Sequence, residues 1–253
     1  MYFDSHAHYN DDRYDEDRYE LLERLHNECS VDYIMNISYD MPSSEQTVIL
    51  ADKYDFVYGA VGTHPHDSKD MKASDYDILR EYTKNEKIVA IGETGLDYHY
   101  DLSPRDTQKK VFSEHLDLAK ELKLPVVIHE REATKDVLDI VNAHDNYGVF
   151  HCFAGSRETA KIVLDKGYMI AFGGTVTFKN SRFAKENAAY VPDDMFLIET
   201  DCPYLTPEPF RGKRNSSEYL SYVCQTIADI RGITPEKVAE LSMANAKRLF
   251  GIK

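Results

Sequence analysis

Eight short apolar runs punctuate this 253-residue chain, and longer polar stretches separate them. The runs are Tyr2-Phe3, Val31 to Ile37, Phe56 to Val61, Ile88 to Ile91, Pro125 to Ile128, Gly148 to Phe150, Tyr168 to Phe172 and Met195 to Ile198. Each is rich in β-branched or aromatic side chains, the composition of a buried strand. The stretches between them carry helical spacing: in Arg105 to Leu122, residues Val111, Leu116, Leu118, Ala119 and Leu122 fall on one face. Ser103 before Pro104 reads as an N-cap with proline at the first helical position, and Thr234-Pro235 marks the last helix in the same way. Strand and helix alternating eight times predict a single (β/α)8 TIM barrel spanning residues 1–253 as one domain, with a doubly wound open sheet as the alternative. The length suits such a barrel, and 42% hydrophobic residues can fill its core.

A barrel places its chemistry at the C-terminal ends of the strands. Six residues with ligand chemistry fall there. In Asp4-Ser5-His6-Ala7-His8 the two histidines are two apart, so in an extended strand both imidazoles point to the same side. Glu93 follows Ile88 to Gly92, and a carboxylate at the end of a buried strand is costly without a cation or hydrogen bonds. His129 closes one apolar run, His151 closes the next, and Asp201 follows the last. Four histidines and two carboxylates suffice for two divalent ions; mixed nitrogen and oxygen donors suit Zn, Mn or Co and, with water, Mg. Cys152 and Cys202, each next to one of these residues, read as packing residues rather than ligands.

The net charge of −14 argues against broad attraction to polyanions, so a phosphate-bearing ligand needs local positive charge. Four cysteines without a CxxC pair point to a reducing compartment. With no apolar signal-like segment at the start and no run near the ~18 apolar residues of a membrane span, the expectation is a cytoplasmic protein without membrane contact. No obligate protein partner is apparent.

The chain resembles the TatD family of metal-dependent deoxyribonucleases, within the amidohydrolase-like barrels. The resemblance rests on Asp4-Ser-His-Ala-His8, Gly62-Thr-His-Pro-His66, Gly92-Glu-Thr-Gly-Leu-Asp97, Ile128-His129 with Arg131, His151-Cys-Phe-Ala-Gly155, Glu199-Thr-Asp-Cys-Pro203 and Arg211-Gly-Lys-Arg-Asn215, seven motifs in the family's order. It departs after Asn215, where Ser216-Ser217 replaces the usual Glu-Pro. The resemblance implies a (β/α)8 fold and metal-dependent hydrolysis of DNA phosphodiesters, with a 3′–5′ exonuclease on single-stranded DNA or strand ends as the expected form. It also implies that His6, His8, Glu93 and Asp201 hold one ion and that Glu93, His129 and His151 hold the other, with Glu93 bridging.

A two-ion site can activate water and stabilise the leaving oxygen at phosphorus. Asp201 is the expected general base. Glu93 is expected to take part through the ions, and His64 to orient the phosphate or protonate the leaving group. Arg211, Lys213 and Arg214 form a dense basic cluster suited to phosphate, and Arg131 can serve the same phosphate or brace Glu93. Tyr98, His99, Tyr100, Phe153 and Tyr204 are candidates to stack on bases. Two other readings compete: an amidohydrolase acting on amides, lactones or phosphotriesters, and a non-catalytic metal or nucleic-acid binding module.

Overall fold

Parallel strands cannot be joined by tight turns, so each must be followed by a crossover, usually a helix. The computed structural model describes residues 1–253 and follows this rule throughout. The strands are β1 (Tyr2–Ala7), β2 (Val31–Ile37), β3 (Val57–Val61), β4 (Ile88–Asp97), β5 (Val126–Arg131), β6 (Gly148–Phe150), β7 (Met169–Phe172) and β8 (Phe196–Ile198). The helices are α1 (Arg18–Glu28), α2 (Met41–Lys53), α3 (Asp75–Tyr82), α4 (Arg105–Leu122), α5 (Thr134–Ala143), α6 (Arg157–Asp165), α7 (Arg182–Tyr190), α8 (Leu220–Arg231) and α9 (Pro235–Phe250). All eight strands lie in one sheet in chain order, the topology of the (β/α)8 barrel. No helix is long and apolar enough to cross a membrane.

Two compact units make up the chain. The terminal unit comprises Met1–Asn36 and Cys152–Lys253, and the middle unit comprises Ile37–His151. In the terminal unit β1 pairs with β2, β7 pairs with β8, and Ala7 bridges to Cys202. Helix α9 starts as predicted, with the Thr234 hydroxyl accepting from the Lys237 amide at 3.2 Å. It is tied to β8 by side chain to backbone bonds: the Ile198 amide donates to the Ser242 hydroxyl at 2.8 Å and Asn245 donates to the Phe196 carbonyl at 2.9 Å. Phe3, Leu22, Ile34, Met35 and Phe196 are fully buried around these contacts.

In the middle unit β4 lies between β3 and β5, and all ten of its residues are buried. Gly95 pairs with His129 at a φ of +147°, a conformation open to glycine, and a Cβ there would collide with the His129 carbonyl. Three strands outrun their apolar stretches: β1 continues through Asp4-Ser5-His6, β4 through Glu93 to Asp97, and β5 through His129 to Arg131. Their polar side chains find buried partners, as when the Ser5 hydroxyl donates to the Ile198 carbonyl at 2.9 Å. One predicted helix start shifts. The cap of α4 is Pro104, which accepts from the Gln108 amide, and the Ser103 hydroxyl instead donates to the His66 carbonyl at 2.7 Å.

Candidate metal centre

The terminal unit gathers one cluster. Because β1 is extended, His6 and His8 project to the same side and their Nε2 atoms approach to 3.1 Å. The Asp201 amide donates to the His6 carbonyl at 2.9 Å, and the His8 amide donates to the Cys202 carbonyl at 2.8 Å, so the chain after β8 is stitched along β1. Asp201 itself adopts a φ of +56°, and this left-handed turn brings its Oδ1 to 3.6 Å from His6 Nε2 and 3.3 Å from His8 Nε2. Behind the cluster, Asp4 accepts from the Thr200 amide at 2.9 Å and from the hydroxyls of Thr200 and Ser217 at 2.6 Å each. Burial pushes the Asp4 carboxyl up to about 7 against the pull of these bonds.

The middle unit gathers the other. Glu93 Oε1 lies 2.9 Å from His129 Nδ1, 2.8 Å from His151 Nε2 and 3.6 Å from His64 Nε2, and the first two nitrogens are 3.1 Å apart. Behind His129, Asp97 is buried with Oδ2 3.2 Å from His129 Nε2 and 3.0 Å from His66 Nε2. Burial lowers the His129 pKa on its own, but hydrogen bonds to Asp97 and Glu93 outweigh it and raise the pKa from its ordinary value. For Asp97 burial works upward, and the bonds from His129 and His66 overcome it, holding the carboxyl well below the usual carboxylate range. His64 is driven well below its ordinary pKa, first by burial and then by the neighbouring His129, so it is neutral at pH 7.

Lone-pair atoms crowded this closely repel one another unless a proton or cation lies between them. In His6, His8 and Asp201, and in His64, Glu93 and His129, the ligand atoms lie within 4.8 Å of one another. The donor set is imidazole nitrogen and carboxylate oxygen throughout, which fits a divalent ion of the Zn, Mn or Co type and, with water, Mg. His64, expected to act on the phosphate, stands within ligand distance of Glu93.

The remaining candidates divide. Arg214 is committed to the protein, donating to both oxygens of Asp17 and to the Arg13 carbonyl. Arg211 lies over the Phe178 ring at 3.9 Å and donates to the Thr206 carbonyl, and Lys213 lies over Phe210 at 5.3 Å. Arg131 covers the Tyr100 ring at 4.8 Å. Phe153 is 4% exposed and unavailable for stacking on a base, a correction to its expected role. Tyr98 is held by Asp136 and covered by Arg105, and His99 pairs with Glu132 at 2.7 Å. Tyr100 and Tyr204 remain exposed, at 54% and 44%. Sequence reasoning passed over Asp4, His66 and Asp97; all three stand inside the quoted motifs, which was the available signal.

A β/α barrel whose strand ends carry buried imidazole and carboxylate clusters defines the class of metal-dependent hydrolases. The chain belongs to the TatD family: the family described as "TatD related DNase" matches residues 3–251. It is 46% identical over 255 residues to the "Uncharacterized metal-dependent hydrolase YabD" of Bacillus subtilis, covering 100% of both chains. It is 35% identical over 217 residues to the "3'-5' ssDNA/RNA exonuclease TatD" of Citrobacter rodentium, covering 83% of this chain and 82% of that one. Among solved structures it is similar to the TatD homologue YjjV of Escherichia coli K12, with a TM-score of 0.93, 27% identity, and coverage of 100% of this chain and 98% of that one.

Proposed function

We propose that the protein is a divalent-metal-dependent nuclease that hydrolyses phosphodiester bonds of DNA, acting 3′–5′ on single-stranded DNA or strand ends. The observation that carries the reading is the pair of nitrogen and oxygen clusters, His6/His8/Asp201 and Glu93/His129/His151. Similarity to a relative named as a single-stranded DNA and RNA exonuclease supports the substrate class. Each cluster would hold one divalent ion, His6, His8 and Asp201 supplying one ligand set and Glu93, His129 and His151 the other. Bound divalent ions supply Lewis acidity and lower the pKa of water.

The chain's own groups do the rest. Asp201 accepts the proton of the attacking water, being both acidic and beside the histidine pair. His64, with Nε2 3.6 Å from Glu93 Oε1, orients the phosphate, protonates the leaving group or completes the ligand set of Glu93. Arg211, Lys213 and Arg131 hold flanking phosphates, and Arg214 serves mainly to anchor its loop through Asp17. Residues 1–253 work as one domain, and four free cysteines suit a reducing, cytoplasmic setting.

The test is cleavage of 3′- and 5′-labelled single-stranded oligonucleotides with Mg2+ or Mn2+ and with chelator. Metal-dependent release of nucleotides from the 3′ end is expected, and its loss in Glu93→Ala. No cleavage with either metal, alongside turnover of an amide or lactone, moves the protein to the amidohydrolase reading.

A further inference from the structure

His129 can present its Nδ1 lone pair to a cation only while its single neutral proton stays on Nε2. Two carboxylates compete for that proton. Glu93 Oε1 lies 2.9 Å from Nδ1 and Asp97 Oδ2 lies 3.2 Å from Nε2, on opposite edges of the ring. The surroundings of Asp97 decide the contest. Its Oδ2 also faces His66 Nε2 at 3.0 Å, while its Oδ1 accepts from the His99 amide at 3.0 Å and the Tyr100 amide at 2.9 Å. Every position around this carboxylate is suited to a donor, so it acts as an acceptor alone.

Its place is fixed from both sides. The Asp97 amide donates to Gln108 Oε1 at 2.9 Å, and Gln108 in turn donates to the Ser103 carbonyl at 2.8 Å. The β4–β5 register pairs Gly95 with His129 and Asp97 with Arg131, which holds the carboxylate alongside the imidazole edge.

We propose that Asp97 is a positioning residue that locks His129 in the Nε2–H tautomer, keeping Nδ1 open toward Glu93 and His151 for metal binding. The proposal rests on the reading of this cluster as a metal site. Metal-bound histidines commonly donate their second ring N–H to such an acceptor, and loss of the acceptor weakens metal binding about 10- to 100-fold. Asp97→Asn tests it sharply. An amide cannot accept at both oxygen positions, so its NH2 must face either the two imidazoles or the two backbone amides. Facing His129, it turns Nε2 into an acceptor and drives the proton to Nδ1, the ligand atom.

The decisive readout is the tautomer of His129 in metal-free protein, from long-range 15N–1H spectra of histidine-labelled samples recorded above the pH at which the His129 ring shifts stop changing, where that ring is neutral. The wild type is expected as Nε2–H and Asp97→Asn as Nδ1–H, with the variant binding Zn2+ about 10- to 100-fold more weakly in calorimetric titration. His66→Ala removes the other imidazole from Asp97 and is expected to leave the His129 tautomer unchanged, which a general loosening of the loop would not do. A wild-type spectrum showing Nδ1–H overturns the proposal even if Asp97→Asn fails to fold. So does an unaltered Zn2+ affinity in a folded Asp97→Asn, or a wild type that binds no Zn2+. The spectra need no nucleic acid, so absence of DNA cleavage would sink the nuclease reading and leave the tautomer assignment standing.

Discussion

Asp4 and Asp97 are both buried behind histidine clusters, yet they end in opposite electrostatic states. Asp4 is surrounded by a backbone amide and the hydroxyls of Thr200 and Ser217, and burial still pushes it up to about 7. Asp97 faces two imidazoles as well as two amides, and these hold it well below the usual carboxylate range in spite of its burial. Neutral hydroxyl dipoles do not replace lost hydration for a full charge, whereas ring donors able to share positive charge do. The two units accordingly orient their ligands by different means. In the terminal unit the backbone does it, through the extended β1 and the left-handed turn at Asp201. In the middle unit a charged side chain does it.

The largest expected effect falls on metal content. Glu93 Oε1 touches three imidazoles of the middle cluster, so Glu93→Ala is expected to empty that cluster and abolish activity. Elemental analysis of dialysed protein is then expected to show less bound metal than in the wild type. Wild-type metal content in the variant would falsify the middle site.

Titration of the protein's stability should show the two units pulling in opposite directions. The folded pKa of Asp4, about 7, lies above an unfolded value near 3.8. Its contribution is therefore fully present below pH 3.8 and is lost as pH rises through 7, a change of roughly 4 kcal/mol. Urea unfolding between pH 4 and 8 should show this downward slope in the wild type and a flatter profile in Asp4→Asn. In the middle unit, buried His115 accepts from the Thr63 amide at 3.1 Å, and burial lowers its pKa to about 4. Its contribution is fully present above pH 6.5 and is lost as pH falls through 4, roughly 3 kcal/mol in the opposite sense. His115→Gln should remove that acid-side loss. Identical pH profiles for wild type and His115→Gln would show that the imidazole is not what resists acid.

This contrast marks what was legible in the sequence. All eight apolar runs became strands because strand burial is a local, periodic property, and the six candidate ligands stood out because polar groups are conspicuous at the ends of such runs. The supporting carboxylates were hidden. Asp4 depends on Thr200 and Ser217, 196 and 213 residues away, and Asp97 depends on a strand register that pairs β4 with β5. Arg214 looked available for phosphate until its partner Asp17, 197 residues distant, came into contact with it. Strand ends were underestimated for the same reason: β1 and β4 continue through polar residues that are satisfied only by distant parts of the chain.

The smallest effect probes the exposed rim of each cluster, where one tyrosine stands under one arginine. Tyr100 is covered by Arg131 at 4.8 Å and meets the edge of His66 at 5.4 Å, while Tyr204 is covered by Arg13 at 4.1 Å and its hydroxyl lies 3.1 Å from Asp11. Tyr204 is thus pinned by an ion-paired neighbour, since Arg13 and Asp11 are themselves 3.0 Å apart. Tyr100 has the larger exposed area and the freer ring, so it is the better platform for an unpaired base. Base–aromatic stacking is worth about 1–3 kcal/mol, and a ring already covered on one face belongs at the low end. Tyr100→Ala is therefore expected to raise KM for a single-stranded oligonucleotide about fivefold with little change in kcat, and Tyr204→Ala to raise it less. A fall in kcat at unchanged KM for Tyr100→Ala would place that ring in the support of His66 and Asp97 instead of on the substrate.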